Sequence, residues 1–497
     1  MQKKKLTLVI VSLLVVVLSV SLAYFTAQII GKGKDVSVTS ANLQIVFTDS
    51  DGALTETDIE PGWSATKTFT IKNDTKTEYK YNIVIKDLLN TFVTEGYLQY
   101  KITSTNNGYN MTEFKDIPKS STPKDTILAY SVVIPNGETQ SYTIEFKYAN
   151  DESVDQSIDM NKKLSGTLFI TEGTEDPNKT LYNQLLVDKS TKLTRTDFST
   201  ALTTDNTNTL YTSTEDSKTV YYFAGNATDN WVKFGKNESN QDLYWRIIRT
   251  NSDGSVRLLY HGTSTTATDA VINTSTKFNE KHSDPMYVGY MYGTSNSTAI
   301  DKSNTNNSTI KTIIDNWYTS NLEAKGYTKY LSTTAVYCND RTYTVEKYTY
   351  FGARTRLETN KTPSYDCATT EDKFTADTST GNGKLTYPIA LMTADEVSFA
   401  GGLWKANAPT WYYYNSANGS STGSTWWWLL SPYYWSGSYA YVFFVYGSSD
   451  PGYLDYRHVN FTFGVRPALS LKSCVKYSSG DGSASDPYTI KETETGC

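Results

Sequence analysis

The residues best suited to chemistry in this 497-residue chain are few and scattered. The three histidines, His261, His282 and His458, stand singly, and the four cysteines, Cys338, Cys367, Cys474 and Cys497, contain no C-x-x-C pair. That spacing assembles no zinc site, and the sequence calls for no metal and no cofactor. Nothing basic or helical is set against any one cysteine, so stapled loops outweigh a reactive thiol. In an oxidising compartment, Cys338 with Cys367 and Cys474 with Cys497 is the simplest of three pairings. Asp395 and Glu396 invite a general acid and base, but adjacent helical residues point about 100° apart. Thr393, three residues before Glu396, assigns that carboxylate to a capping box instead. Arg466, alone in an apolar strand, reads as a guanidinium satisfying carbonyls or a carboxylate. No catalytic residue is expected, and the chain does not read as an enzyme.

Contact chemistry is better supplied. Residues 431–463 are crowded with large amphipathic side chains, and those expected to bind a ligand are Tyr433, Tyr434, Trp435, Tyr446, Tyr453, Asp455, Tyr456, Arg457 and His458. Tyrosine and tryptophan offer rigid area with a polar edge, while the interleaved Ser and Gly adapt, as in a paratope. Period two along residues 439–446 puts Ala440, Val442 and Phe444 on one face and Tyr439, Tyr441, Phe443 and Val445 on the other, so one set is core. The whole chain shares this bias, with 39 Tyr and 10 Trp against 6 Met. Such a composition favours strands over helical bundles. With 46 basic and 52 acidic side chains the formal charge is −6, which excludes a nucleic-acid clamp and leaves no nucleic-acid partner.

The elements that must position this segment follow from the chain's pattern. Lys3, Lys4 and Lys5 precede the uncharged residues 6–23, so residues 1–31 read as a signal peptide or a transmembrane anchor, with everything after them exported. Ser21-Leu22-Ala23 suits cleavage; uncleaved, the segment holds the protein to the membrane. Residues 36–172 read as a β-sandwich, with strands over 43–48, 67–73, 127–134 and 164–171. Tyr79, Tyr81, Ile83 and Ile85 alternate with Lys80, Asn82, Val84 and Lys86, and Tyr142, Ile144, Phe146 and Tyr148 alternate with polar residues in the same way. Turns fall at Asp51-Gly52, Pro61-Gly62 and Asn136-Gly137. The glycine of Asp49-Ser50-Asp51-Gly52 comes too early for a calcium loop.

Residues 173–218, rich in Thr, Asp, Asn and Ser, read as a linker with one short helix. Residues 219–497 form a second, α+β domain. Its signals are a hairpin about Asn251-Ser252-Asp253-Gly254, a helix through Ile310, Ile313, Ile314, Trp317, Tyr318 and Leu322 capped by Ser308 or Asn307 and stopped at Gly326, and a short helix at the capping box ended by Gly401-Gly402. Strands return over 426–430, 440–446 and 464–471. The fold class is thus mainly β.

Two resemblances extend this picture. Ala23-Tyr24-Phe25-Thr26, Ser40-Ala41-Asn42-Leu43-Gln44-Ile45 and Ile59-Glu60-Pro61-Gly62 resemble the start of the TasA/camelysin family of exported Gram-positive fibre and surface proteins, over roughly the first 90 residues. The metallopeptidase activity described for camelysins does not carry over, since no His-Glu-x-x-His is present. From about Tyr221 to Ile490, the ordered motifs Tyr244-Trp245-Arg246-Ile247-Ile248, Gly289-Tyr290-Met291-Tyr292-Gly293, Ile314-Asp315-Asn316-Trp317-Tyr318, Thr393-Ala394-Asp395-Glu396-Val397, Trp428-Leu429-Leu430-Ser431-Pro432 and Gly464-Val465-Arg466-Pro467 resemble exported bacterial proteins with a C-type-lectin-like domain. That resemblance implies a β-sandwich followed by a C-type-lectin-like domain.

Related domains include the variable proteins of diversity-generating retroelements and the formylglycine-generating enzymes. The resemblance places residues 433–461 at the ligand face, between fixed strands at Trp428 and Gly464. Many of their types, Tyr, Ser, Asp, His, Asn and Phe, are reachable from an asparagine codon by changing adenines. The calcium motifs of sugar-binding lectins are absent, Ser449-Asp450-Pro451 being the nearest approach. The expected function is an adhesin-like, cell-surface or secreted ligand-binding protein diversified by a retroelement, its partner an extracellular protein or glycan. A fibre or biofilm-matrix subunit is the structural alternative, and a formylglycine-generating oxidase the enzymatic one.

Overall fold

A computed structural model describes residues 25–26, 35–40, 43–49, 59–111, 113–177, 179–202, 204, 206–268, 270–294, 300–343, 349–408, 410–411, 425–447 and 450–497. The uncharged run over 6–23 and the turn at Asp51-Gly52 lie outside them. Among the described residues no helix is long and apolar enough to cross a membrane. The chain divides into two units, Met1–Pro177 and Asn178–Cys497, each with its own core.

The first unit is a sandwich of antiparallel sheets. Among its described residues one sheet runs in the order Asp35–Ser40, Leu43–Asp49, Ser64–Asn73, Thr139–Tyr148, Leu98–Ser104, Lys115–Asp116, and the other Phe25–Thr26, Leu164–Glu172, Tyr79–Asn90, Ser120–Ile134. Alternation builds the Thr139–Tyr148 strand as expected: Tyr142, Ile144, Phe146 and Tyr148 are all buried. In Tyr79–Asn90 the alternation fails at the centre, because Asn82 and Val84 are buried too. Asn82 sustains this by donating to Thr171, Glu172 and Thr174 and accepting from the Ser131 and Thr174 amides, which closes the accounting for a buried amide.

The second unit is mixed, with two large sheets and short helices around a main core and a smaller cluster of Tyr211, Val220, Tyr222, Ala224, Tyr365 and Phe399. One sheet pairs Asp242–Thr250 with Val256–Gly262 through the expected hairpin, whose Gly254 sits at φ 78°, and continues to Pro467–Leu471 and Ile389–Leu391. The other has the order Asn273–Lys277, Thr462–Val465, Trp427–Trp435, Ala440–Val445, Tyr453–His458, Leu403–Trp404, with Thr349–Tyr350 added to Trp427–Trp435. The helix Thr309–Tyr318 is capped by Ser308, whose hydroxyl accepts from the Lys311 amide, and Gly326 follows at φ 76°. Thr393 and Glu396 form the capping box of Ala394–Phe399.

The linker reading is corrected for most of its length. Residues 179–218 carry the helix Leu181–Asp188 and the strands Thr191–Thr194 and Thr209–Glu215, the latter paired with Lys218–Tyr222. Leu181 and Leu185 enter the main core, and buried Lys189 meets Asp229 at 2.8 Å. Backbone pairing and a few anchored side chains hold a segment whose composition is too polar to advertise it. Disulfides join Cys338 to Cys367 and Cys474 to Cys497, with Cα separations of 5.5 and 5.2 Å. Both suit an extracellular environment.

Candidate functional site

The strand Trp427–Trp435 is buried through Tyr433 and reaches the surface only at Tyr434 and Trp435. It turns at Ser436, whose hydroxyl accepts from the Tyr439 amide, and Gly437, at φ 88°, and returns as Ala440–Val445. Pro432 has no amide to give the ladder, and the register shifts on both sides of it. A regular strand would send Tyr433 and Tyr434 to opposite faces. Here both rings pack against Tyr456, Tyr433 stacked at 3.9 Å and Tyr434 edge-on at 5.5 Å, and they touch each other at 5.2 Å.

Neighbouring strands complete an aromatic cluster. Tyr441 lies opposite Tyr434 in the ladder, and their rings stack at 4.3 Å. Tyr456 comes from Tyr453–His458, directly opposite Phe443. Trp404, on the edge strand that runs parallel to Tyr453 and Leu454, lies nearly parallel to both Tyr433 and Tyr456, at 5.2 and 5.9 Å. Tyr434, Tyr441, Tyr456 and Trp404 are all half-buried, so each keeps some area for a ligand.

Charged groups frame the rings. The Arg354 guanidinium lies 3.4 Å over Tyr350 and 4.9 Å over Tyr433, and its Nε meets Glu358 at 2.7 Å. The Tyr433 hydroxyl donates to the same carboxylate at 2.8 Å. Burial and this hydrogen bond push the Tyr433 phenol well above its ordinary range. Burial alone would raise Glu358, but the hydrogen bonds from Arg354 and Tyr433 hold it below the usual carboxylate range. The ring is therefore neutral and the carboxylate ionised at neutral pH. Lys405 lies over Trp404 and Tyr456, at 5.3 and 5.4 Å, and 3.8 Å from Asp455, and its charge also acts on Glu358. Stacking area, phenol hydroxyls and paired charges are chemistry suited to holding and orienting a partner.

The residues expected to bind do not form one surface. Tyr433, Tyr434 and Tyr456 come together, and Asp455, opposite Phe444 in the ladder, stands between two groups, 3.8 Å from Lys405 and close enough to Tyr446 that burial and this charge both push that phenol up. Tyr446 and Tyr453 pack on each other at 5.0 Å, and Tyr446 on Trp426 at 4.2 Å, in a separate cluster with Phe444 and Phe463. His458 joins the aromatic cluster, edge-on to Tyr441 at 4.5 Å, and also stacks on Tyr439 at 4.4 Å, with His282 on Tyr439 at 5.1 Å, while Arg457 is exposed near Phe461. Trp435 is half-buried, opposite Ala440 and Thr349 in the sheet. The reason for the division is burial on both sides: Val442, Phe443, Phe444 and Val445 are all core, so period two does not sort this strand into an inner and an outer face.

Sequence reasoning missed Tyr350, Arg354, Glu358, Trp404 and Lys405, and it named Tyr441 only as one face of an alternating strand, not as a contact. Arg354 and Glu358 have the i, i+4 spacing of a helical ion pair, which signals a helical turn but not its neighbour. Trp404-Lys405 follow the glycines that end a helix, and no local pattern ties them to Tyr433.

The second unit also holds an ionic centre, buried except for part of Arg356. Glu396 accepts from Arg249 at 2.9 Å and Arg257 at 2.7 Å, Arg249 also meets Glu215, and Arg356 grips Asp395 with two bonds while reaching Asp340 at 2.6 Å. Burial opposes its ionisation, yet Arg257 and Arg249 hold Glu396 below the usual carboxylate range. Arg466 is buried as well, donating to the Tyr260 carbonyl at 2.8 Å and lying over Trp427. These groups tie strands together. Among the described residues no three His, Cys, Asp or Glu side chains gather as a metal ion would need.

Residues 328–473 match a family described as a domain of unknown function, DUF6273. The match spans every residue of the aromatic cluster and its charged frame. No curated protein matches the chain. Among solved structures, a family 35 carbohydrate-binding module from an environmental isolate is similar at 11% identity, over 31% of this chain and 100% of that one, with a TM-score of 0.15. A likeness that slight carries no argument about function.

Proposed function

We propose that the second unit is the ligand-binding part of an exported, adhesin-like bacterial surface protein, and that it binds an extracellular protein or glycan without transforming it. The observation that carries this reading is the convergence of Trp404, Tyr434 and Tyr456, drawn from three strands, on the fixed ring of Tyr433, with Tyr441 of a fourth strand packed on Tyr434 and Tyr456. Aromatic anchors held rigid by packing are what recognition surfaces use to gain area at little entropic cost. The basic start, the uncharged run over 6–23 and the two disulfides support export. The ordered motifs from Tyr244 to Pro467 support a C-type-lectin-like head, and the half-buried tyrosines are where diversification would change specificity.

Arrays of extracellular glycans and proteins, probed with the full chain and with a Tyr434→Ala/Tyr456→Ala variant of unchanged melting temperature, test the proposal. It requires hits that the variant loses. Identical hits from both proteins, or none from either, would refute it.

A further inference from the structure

The second unit contains another cleft, of about 190 Å³, where two parallel strands part. Trp231–Lys236 and Tyr488–Ile490 pair at Val232 with Tyr488 and at Lys233 with Thr489, and the cleft is lined by residues of both just beyond. The space opens where the two backbones diverge past these pairs.

Its walls carry opposite charge. On one side the register of Trp231–Lys236 against Asp242–Thr250 shifts between Lys233 and Lys236, with Gly235 at φ 80°. On an unbroken strand, residues three apart point to opposite faces. The bulge instead aims both ammonium groups at Asp242, at 2.8 and 2.6 Å. Two cations share one carboxylate, so this wall is net positive. On the other side stands Glu492, exposed, with the Tyr327 hydroxyl at 3.4 Å.

The floor is apolar, made of buried Phe234 and Ile490. Tyr330 donates to the Thr493 carbonyl and accepts from its amide, pinning the segment that carries Glu492, and the Cys474–Cys497 bond closes the same tail. The cleft is therefore preformed, and it is smaller than sites for drug-sized ligands.

We propose that this cleft binds a free α-amino acid with an apolar side chain: its carboxylate at Lys233 and Lys236, its ammonium at Glu492, its side chain on Phe234 and Ile490. The site is separate from the aromatic face and stands or falls without it. Calorimetry of the full chain with L-phenylalanine, N-acetyl-L-phenylalanine and L-phenylalaninamide tests it. The amino acid should bind about tenfold or more tighter than either singly charged analogue. Glu492→Gln, at an exposed position, should bring the amino acid down to the level of the N-acetyl compound, while Tyr456→Ala should change nothing here. Equal affinity for the three probes, no binding of the amino acid, or full affinity in Glu492→Gln would overturn the proposal.

Discussion

The ring of Tyr433 lies face to face with that of Tyr456, centroids 3.9 Å apart and 8° from parallel, although their strands are not neighbours. Ala440–Val445 runs between them, and the pair spans it beside Phe443, which meets Tyr433 edge-on at 5.1 Å. Tyr433 is 3% exposed and anchored to Glu358, so it supports the face that Tyr434, Tyr441, Tyr456 and Trp404 present.

That division of labour predicts different stability effects. Tyr433→Ala removes a buried ring and should cost about 3–5 kcal/mol, whereas Tyr433→Phe removes only the bond to the ionised Glu358 and should cost about 1.5–3 kcal/mol. Tyr456→Ala, half-buried, should cost less than Tyr433→Ala. Denaturant unfolding of the second unit measures all three, and an inverted order of the two alanine variants would count against the assignment.

The ionic centre makes a stronger demand. Glu396→Gln leaves Arg249 and Arg257 buried beside a neutral group, and breaking such a pair from one side should destabilise by about 3–5 kcal/mol. A loss under about 1 kcal/mol, typical of a surface pair, would show that the carboxylate is not buried between the two guanidinium groups.

Stability should also fall in mild acid. His261 is fully buried, and burial, reinforced by Arg466 and Arg246, pushes its pKa well below the ordinary value of 6.5. The unfolded chain takes up a proton near that value while the folded chain does not. Stability is therefore complete above about pH 6.5 and is lost below it, by up to about 1.4 kcal/mol per pH unit, until the folded pKa is reached. His458 is shifted in the same direction, by burial, Arg457 and His282. Melting curves between about pH 5 and 8 should show the decline, and His261→Gln should flatten it.

Closing loops of 29 and 23 residues, the disulfides should each contribute about 3–4 kcal/mol. Peptide mapping of the non-reduced protein should recover Cys338 with Cys367 and Cys474 with Cys497. Crossed pairs or four free thiols would contradict the fold of the second unit around both bonds.

Where one periodic signal governs an element, that element was legible: Tyr142 to Tyr148, the helix capped by Ser308 and the capping box at Thr393 all follow from local pattern. Residues 179–218 were not, because Thr209–Glu215 is held by backbone pairing and by Glu215 on Arg249, neither of which leaves a compositional trace. In the candidate site, the abundance of tyrosine was plain but the grouping was not. The bulge at Pro432 decides which rings share a face, and Arg354, Glu358, Trp404 and Lys405 arrive from elsewhere in the chain. Tyr446 and Tyr453, inseparable from Tyr456 by composition, belong to another cluster.

That separation supplies the most direct measurement. For a glycan or protein recovered from the arrays, the dissociation constant should be determined by calorimetry for the full chain and for Trp404→Ala, Tyr456→Ala and Tyr453→Ala, each first checked for folding. The first two substitutions should weaken binding by about tenfold or more, as loss of an anchor does, and Tyr453→Ala should leave it within about twofold. Binding lost in Tyr453→Ala and kept in Trp404→Ala and Tyr456→Ala would contradict the proposed site.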